Sequence, residues 1–282
     1  MIEVIKSGAL TTIQDLGRPG FAQLGIPRSG AGDRGSLKLA NRLVGNAEGA
    51  AALECTLIGP SLLFHDDALV AITGAEIPAL LDGEQMALNS AFSAAAGSLL
   101  ELATTSAGLR SYIALRGGIE AEPVMGSMSS DLLSGLGPAP LTAGQMLATG
   151  PSAGEVPAIG VAAVAAPADE PLLRVIPGPR EDWFGDRALE LLAKSSWEVS
   201  SDSNRSGARL IGPELPRVRS DDLLSEGIAH GAIQVPASGQ PIILLADHPT
   251  TGGYPVIAVI ASADLDAAGQ LRPGQQLRFA LS

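Results

Sequence analysis

The sequence predicts a mainly β protein with a few short helices, arranged as barrels or sandwiches. Glycine (34) and proline (20) punctuate the 282-residue chain and cut it into short elements. Short runs of Ile, Val and Leu recur between these breakers, as at 241–246 and 256–261. Apolar residues at helical spacing are confined to short stretches near 33–44 and 185–194. Hydrophobic residues make up 46% of the chain and aromatics only 3%, so the core is drawn from Ala, Val, Ile and Leu.

Taken in order, Met1–Lys6 alternates as a strand does. Residues 8–33 hold too many breakers for a helix and predict an irregular segment, held by side-chain-to-backbone bonds and an Asp15–Arg18 pair. Asp33 is a candidate N-cap for a helix carrying Leu37, Ala40, Leu43 and Val44, stopped by Gly45-Asn46. A second helical turn is expected over Ala47–Ala52, then strands at Leu53–Ile58, Ser61–His65 and Ala68–Thr73. Ile77–Leu81 and Gln85–Leu88 flank Asp82-Gly83, a hairpin signal. Leu99–Ala103 and Ser111–Leu115 add two strands, and Arg116-Gly117-Gly118 a turn. Residues 120–150 read as loop with one short helix near Ser130–Ser134.

Gly154–Pro171 is rich in Ala and Pro and reads as a linker. It divides the chain into lobes of 1–165 and 166–282, with exchange of segments between them allowed. Leu172–Ile176 predicts a strand, Gly185–Lys194 a helix with Leu189 and Leu192 facing in, and Trp197–Ser200 a strand. Pro241–Ala246 and Val256–Ala261 predict buried strands, and a last strand follows the Arg-Pro-Gly-Gln turn. LIGPSL at 57–62 echoes LIGPEL at 210–215, as two lobes built from similar parts would.

The net charge of -12 and pI near 4.6 speak against nucleic acid, which needs clustered cations. Neither a signal peptide nor a membrane-spanning run is visible, so the expectation is a soluble cytoplasmic protein with no membrane contact. The single Cys55 excludes an internal disulfide, and three scattered histidines without HExxH predict no metal site. GxxxxGK[ST] is missing, and no Rossmann GxGxxG follows a first strand. No covalent biotin site is present; the nearest string, EQMALN at 84–89, has no Lys.

The richest polar loop lies between the last two buried strands. Asp247, His248, Thr250, Thr251, Gly252, Gly253 and Tyr254 combine an acid, a titratable base, two hydroxyls, a Gly pair and a phenol. Asp247 or His248 is the candidate general base. Three further sets stand in breaker-rich segments: Gln14, Asp15 and Arg18; Arg180 and Asp182; Asn204, Arg205 and Arg209. Gln234, Ser238 and Gln240 join the loop in the fourth set. Arginines in such settings suit carboxylate or phosphate, and equally suit structural pairing with the thirty acids of the chain.

These segments carry a resemblance. TTIQDLGRPGFAQLGIPRSGAGD (11–33), ANRLVGN (40–46), LECTLIGP (53–60), RVIPGPREDWF (174–184), SNRSGARLIGPEL (203–215) and GAIQVPASGQPIILLADHPTTGGYPVIAVIASADL (231–265) span nearly the whole chain. The chain resembles the biotin-dependent carboxyltransferase family, also called allophanate hydrolase subunit 2. The resemblance implies two cyclophilin-like β-barrel lobes. It implies a partner, allophanate hydrolase subunit 1 (KipI-like), and often a third, LamB/YcsF-type subunit. Together these would open 5-oxoproline to glutamate, with ATP acting through the complex on a small carboxylate or amide. Two alternatives are carboxyl transfer from carboxybiotin to urea or a related amide, and a regulatory module antagonising its subunit 1 homologue. Motif match and chemistry together make Asp247 and Tyr254 the catalytic candidates. Arg205, Arg209, Gln234, Thr250, Thr251, Gly252 and Gly253 would bind substrate. Gln14, Asp15, Arg18 and Arg180 would lie at the site mouth or a partner surface.

Overall fold

The computed structural model describes residues 1–282 except 153, 154, 159 and 220, and the side chains of all of these but Glu181 and Asp186. Gly154, where the expected linker begins, and Ser220 therefore lie outside the described residues. The chain divides into two compact units. One holds Met1–Arg18 and Ser29–Pro167, the other Pro19–Arg28 and Ala168–Ser282.

The first unit is a pair of antiparallel sheets. One runs in the order Met146–Leu147, Ile2–Lys6, Ser61–Phe64, Leu99–Leu102, Ala79–Leu81, Glu84–Gln85. The other runs Leu10–Gln14, Ala52–Thr56, Ala107–Leu115, Ala68–Glu76, Ala91–Ala94. Ile2, Val4, Leu62 and Phe64 of the first sheet meet Ile13, Leu53, Ile72 and Ile113 of the second in one buried cluster. The helix Arg34–Leu43 covers the other face of the second sheet, setting Leu37, Ala40 and Leu43 against Ala52, Ala71, Tyr112 and Ala114. Strand Ala107–Leu115 is thus buried on both faces, Arg110 and Ser111 included. Asp33 caps the helix as expected, its carboxylate accepting from Ser36 N at 2.8 Å.

Three expectations for this unit are corrected. Leu10–Gln14 is a strand inside the stretch read as irregular, paired along its whole length with Ala52–Thr56. Ala47–Ala52 is a turn leading into a strand, and Ser130–Ser134 is a hydrogen-bonded turn held by Asp131, not a helix. The Asp82-Gly83 hairpin is present, with both residues at positive φ (52° and 85°), as a tight two-residue turn demands.

The second unit is a closed barrel of Leu172–Pro177, Val256–Ile260, Ala232–Gln234, Ile242–Leu244, Gly207–Ile211, Ser196–Val199 and Gln276–Leu281. The parallel pairing of the last strand with the first closes it. Leu173, Val175, Trp197, Ala208, Leu210, Ile233, Ile257 and Phe279 fill its interior. The helix Asp186–Lys194 adds Ala188 and Leu192, and Leu192 O accepts the Trp197 indole N–H at 3.0 Å. Two short strands, Glu226–Gly227 and Thr251–Gly252, pair as a separate ribbon. The architecture is mainly β, with one unit a barrel and the other two packed sheets. Among the described residues no helix is long and apolar enough to cross a membrane.

Candidate functional site

The second unit builds the 247–254 loop from a strand register. Ile242–Leu244 pairs with Gly207–Ile211, with Gly207 opposite Leu244. That register brings residues just before one strand against residues just after the other. Leu245 N donates to Ser206 O at 3.0 Å and Asp247 N to Arg205 O at 3.0 Å. The side chains follow: Arg205 Nε lies 2.8 Å from Asp247 Oδ2 and Nη2 lies 3.0 Å from Oδ1. The pair is 3% and 0% exposed. The anion that Arg205 holds is therefore the chain's own carboxylate, and Asp247 is an anchor with both oxygens engaged rather than a free base. A bidentate buried pair of this kind fixes the root of the loop.

Beyond the anchor the loop turns outward. His248 is buried, and its Nδ1–H donates to Pro249 O at 2.8 Å. Burial pushes its imidazole below the usual value; the Pro249 carbonyl and the Asp247 charge oppose that shift. The His230 ring stacks on it with centroids 6.0 Å apart. Ile228 N donates to Thr250 O, and Thr251–Gly252 pairs with Glu226–Gly227. Gln234 is buried, and its side-chain amide donates to Tyr254 O at 3.1 Å. A Cβ on Gly252 would stand 2.6 Å from Ile228 Cδ1 and 3.1 Å from Gln234 Nε2, so the ribbon lies where only glycine fits unaided. Tyr254 is half exposed, Thr251 and Gly253 are exposed, and Thr250 is intermediate. These are the groups an outside ligand meets first.

Arg209 and Arg180 stand outside that buried pair. Arg209 alternates with Ala208 and Leu210 along its strand, so those two face the core and Arg209 faces solvent. Arg180 binds Glu226 Oε2 through Nε and Nη2, at 2.9 and 2.6 Å, and so braces the ribbon that pairs with Thr251–Gly252. Beside that brace lies an open cavity of about 330 Å³, lined by Arg180, Trp183, Arg219, Leu223, Leu224 and Glu226 among others. Arg217 and Arg219 sit over the Trp183 ring at 5.1 and 4.8 Å. Residues 217–226 carry no motif that marks them in the sequence.

In the first unit Gln14, Asp15 and Arg18 are all buried, and they hold residues 124–131 rather than each other. Asp15 accepts from Gly17 N (2.7 Å), Ser127 Oγ (2.6 Å) and Met128 N (2.7 Å), and also from Ser129 Oγ. Arg18 donates to Ser129 O and to Val124 O, with Nη1 4.0 Å from Asp131 Oδ2. Gln14 donates to Thr12 Oγ1 and Ser130 O. These three groups, expected at the site mouth or a partner surface, are thus buried and engaged within their own unit. Ser127, Ser129 and Asp131 went unremarked in the sequence, although the string SMSSD offered hydroxyls and an acid close together.

A family model described as carboxyltransferase domain, subdomain A and B, matches residues 24–281. The chain is 41% identical over 288 residues to a 5-oxoprolinase subunit of Escherichia coli (strain K12), covering 99% of this chain and 90% of that one. Among solved structures it is similar to TTHA0988, with a TM-score of 0.91 and 36% identity over 99% of this chain. It is similar also to the K. lactis urea amidolyase, with a TM-score of 0.91 and 32% identity over 99% of this chain. It spans 55% of the TTHA0988 chain and 18% of the urea amidolyase chain.

Proposed function

The chain belongs to the carboxyltransferase domain family, subdomains A and B, and from that premise we propose that it is a subunit of a cytoplasmic, ATP-dependent 5-oxoprolinase. It would open 5-oxoproline to glutamate together with a subunit 1 (KipI-like) and a LamB/YcsF-type subunit. The observation that carries this reading is the 41% match to a 5-oxoprolinase subunit, which runs nearly end to end in both chains.

The chemistry proposed for this chain stays on its own residues. A lactam presents a carbonyl oxygen and an amide N–H, and both need hydrogen-bonding partners as the ring opens. Tyr254, the exposed phenol of the loop, is the proposed proton donor and acceptor at that amide. Thr250 and Thr251 are the proposed hydroxyl contacts, and Gly252 and Gly253 let a ligand approach the backbone. Gln234 and the Arg205–Asp247 pair act as positioning residues, since they hold the loop from behind. ATP would drive the reaction when bound to the complex. The residues here do not fit a triphosphate cradle: Arg180, Arg205 and Arg219 already carry Glu226, Asp247, and Asp182 with Asp221.

A second reading is carboxyl transfer from carboxybiotin to urea or a related amide. The family's description and the likeness to urea amidolyase favour it. The same loop would then receive an acyclic amide.

The test is reconstitution. The chain is purified with its two companion subunits, and 5-oxoproline-dependent phosphate release is measured. Tyr254→Phe should lower the rate at least about tenfold, roughly 1.4 kcal/mol of barrier, and leave the complex intact. Full activity in a mixture lacking this chain sinks the proposal. Urea carboxylation by the complex, with no response to 5-oxoproline, replaces it with the second reading.

A further inference from the structure

We infer that His248 is the general base of the 247–254 loop, its Nε2 taking a proton from the water that opens the lactam; the inference rests on the 5-oxoprolinase reading above. One contact fixes the tautomer. Nδ1 lies 2.8 Å from Pro249 O, and a carbonyl only accepts, so Nδ1 carries the hydrogen and Nε2 the lone pair. Among the described residues Nε2 has no hydrogen-bond partner, yet it is not sealed from solvent as Gln14 Oε1 and Ser130 Oγ are in the first unit. Two polar atoms on a side chain only 8% exposed call for two partners. The chain supplies one and leaves the basic nitrogen to a ligand or a water.

The ring is also held still. His248 N donates to Leu245 O at 3.1 Å, the preceding Asp247 is clamped by Arg205, and the His230 ring stacks within 15° of parallel. A base fixed in tautomer and plane needs little reorganisation as the reaction proceeds. Burial holds the imidazole below its usual value, so at neutral pH it stands uncharged and able to accept a proton. The charged and titratable groups around it are Asp247, Arg205 and His230. Both Asp247 oxygens are committed to Arg205, so Asp247 does not compete for that proton. The step balances within the loop. The water oxygen bonds to the lactam carbonyl carbon as its proton passes to Nε2. The ring C–N bond then breaks as the nitrogen takes the phenol proton of Tyr254. Nε2 returns its proton to the phenolate through solvent, and the sum is lactam plus water giving the open amino acid.

The test follows glutamate formation from 5-oxoproline by the reconstituted complex, with wild type, His248→Gln and His248→Ala. Glutamine keeps a donor for Pro249 O but cannot take up a proton, so it separates the base from a merely structural residue. His248→Gln should slow turnover by at least about a hundredfold while the complex still assembles. His248→Ala should be equally slow and should recover as imidazole is added, in step with the concentration of its neutral form. A glutamine variant within about twofold of wild type overturns the inference and leaves the subunit reading standing. Two slow variants with no response to imidazole make His248 a positioning residue, which also overturns it. A wild-type complex that forms no glutamate removes the 5-oxoprolinase reading and this inference with it.

Discussion

The first unit buries Asp15 and Arg18, and the second buries Asp247 and Arg205, yet the two arrangements have little in common. In the second unit the acid and the base lie 42 residues apart and meet in a bidentate pair. In the first they are near neighbours in sequence and turn away from each other, onto hydroxyls and carbonyls of residues 124–131. Strand register explains the difference. Gly207 opposite Leu244 forces residues 205 and 247 together. Residues 15–18 follow a strand edge through a turn at Gly17, whose N–H already occupies one oxygen of Asp15. Arg205 and Asp247 concentrate their polarity in one contact with each other. Asp15 and Arg18 spread theirs over hydroxyls, amides and carbonyls, with Asp131 4.0 Å from Arg18.

The sharpest way to break this contrast is to remove each arginine. Arg205→Ala strands the Asp247 carboxylate in a dry site and should cost about 3–5 kcal/mol. Both tryptophans, Trp183 and Trp197, lie in the second unit, so urea unfolding followed by tryptophan fluorescence reads the loss directly. Arg205→Met combined with Asp247→Leu should recover most of it, because an apolar pair leaves no charge behind. Arg18→Ala should cost less, about 1–3 kcal/mol. It takes from the Ser129 carbonyl its Arg18 donor, while Val124 O keeps Ser127 N, and Asp131 keeps Leu133 N, Ser134 N and Ser134 Oγ. Amide exchange over residues 124–131 measures that loss. If Arg18→Ala proves as costly as Arg205→Ala, the distinction between concentrated and distributed polarity collapses.

The contrast also marks what could be read from the sequence. Asp33 as a cap, Asp82-Gly83 as a turn and the helix ending at Lys194 are local signals, and each appears where its own residues put it. Leu10–Gln14 was hidden because four of its five residues are buried, so it shows no alternation, and the Gly and Pro downstream masked its Thr and Ile. Ala91–Ala94 (AFSA) carries too little apolar character to announce a strand. The 247–254 loop was legible as a polar break between two apolar runs. Its inward and outward sides were not: that Asp247 turns in and Tyr254 turns out depends on a strand some forty residues upstream. The Asp15 cluster escaped for the same reason, since its partners lie more than a hundred residues away.

The smallest predicted effect sharpens the comparison by pH. His248 belongs to the second unit, and burial holds its imidazole below the ordinary value, against the Pro249 carbonyl bond and the neighbouring Asp247 charge. The unfolded chain titrates this group near about 6.5. Below that pH the unfolded state takes up a proton that the folded state resists. The contribution to stability is therefore complete above the unfolded value, and it is lost as the pH falls through the folded one. His248→Gln keeps a donor for Pro249 O and removes the titration. Tryptophan-monitored stability of the wild type should fall more steeply between about pH 7 and pH 5 than that of the variant. Parallel curves would mean that His230, stacked on His248 at 6.0 Å, or the buried pair beneath it relaxes to accommodate the charge. In that case the anchor of the loop is softer than its bidentate geometry implies, and the two units differ less than their hydrogen bonds do.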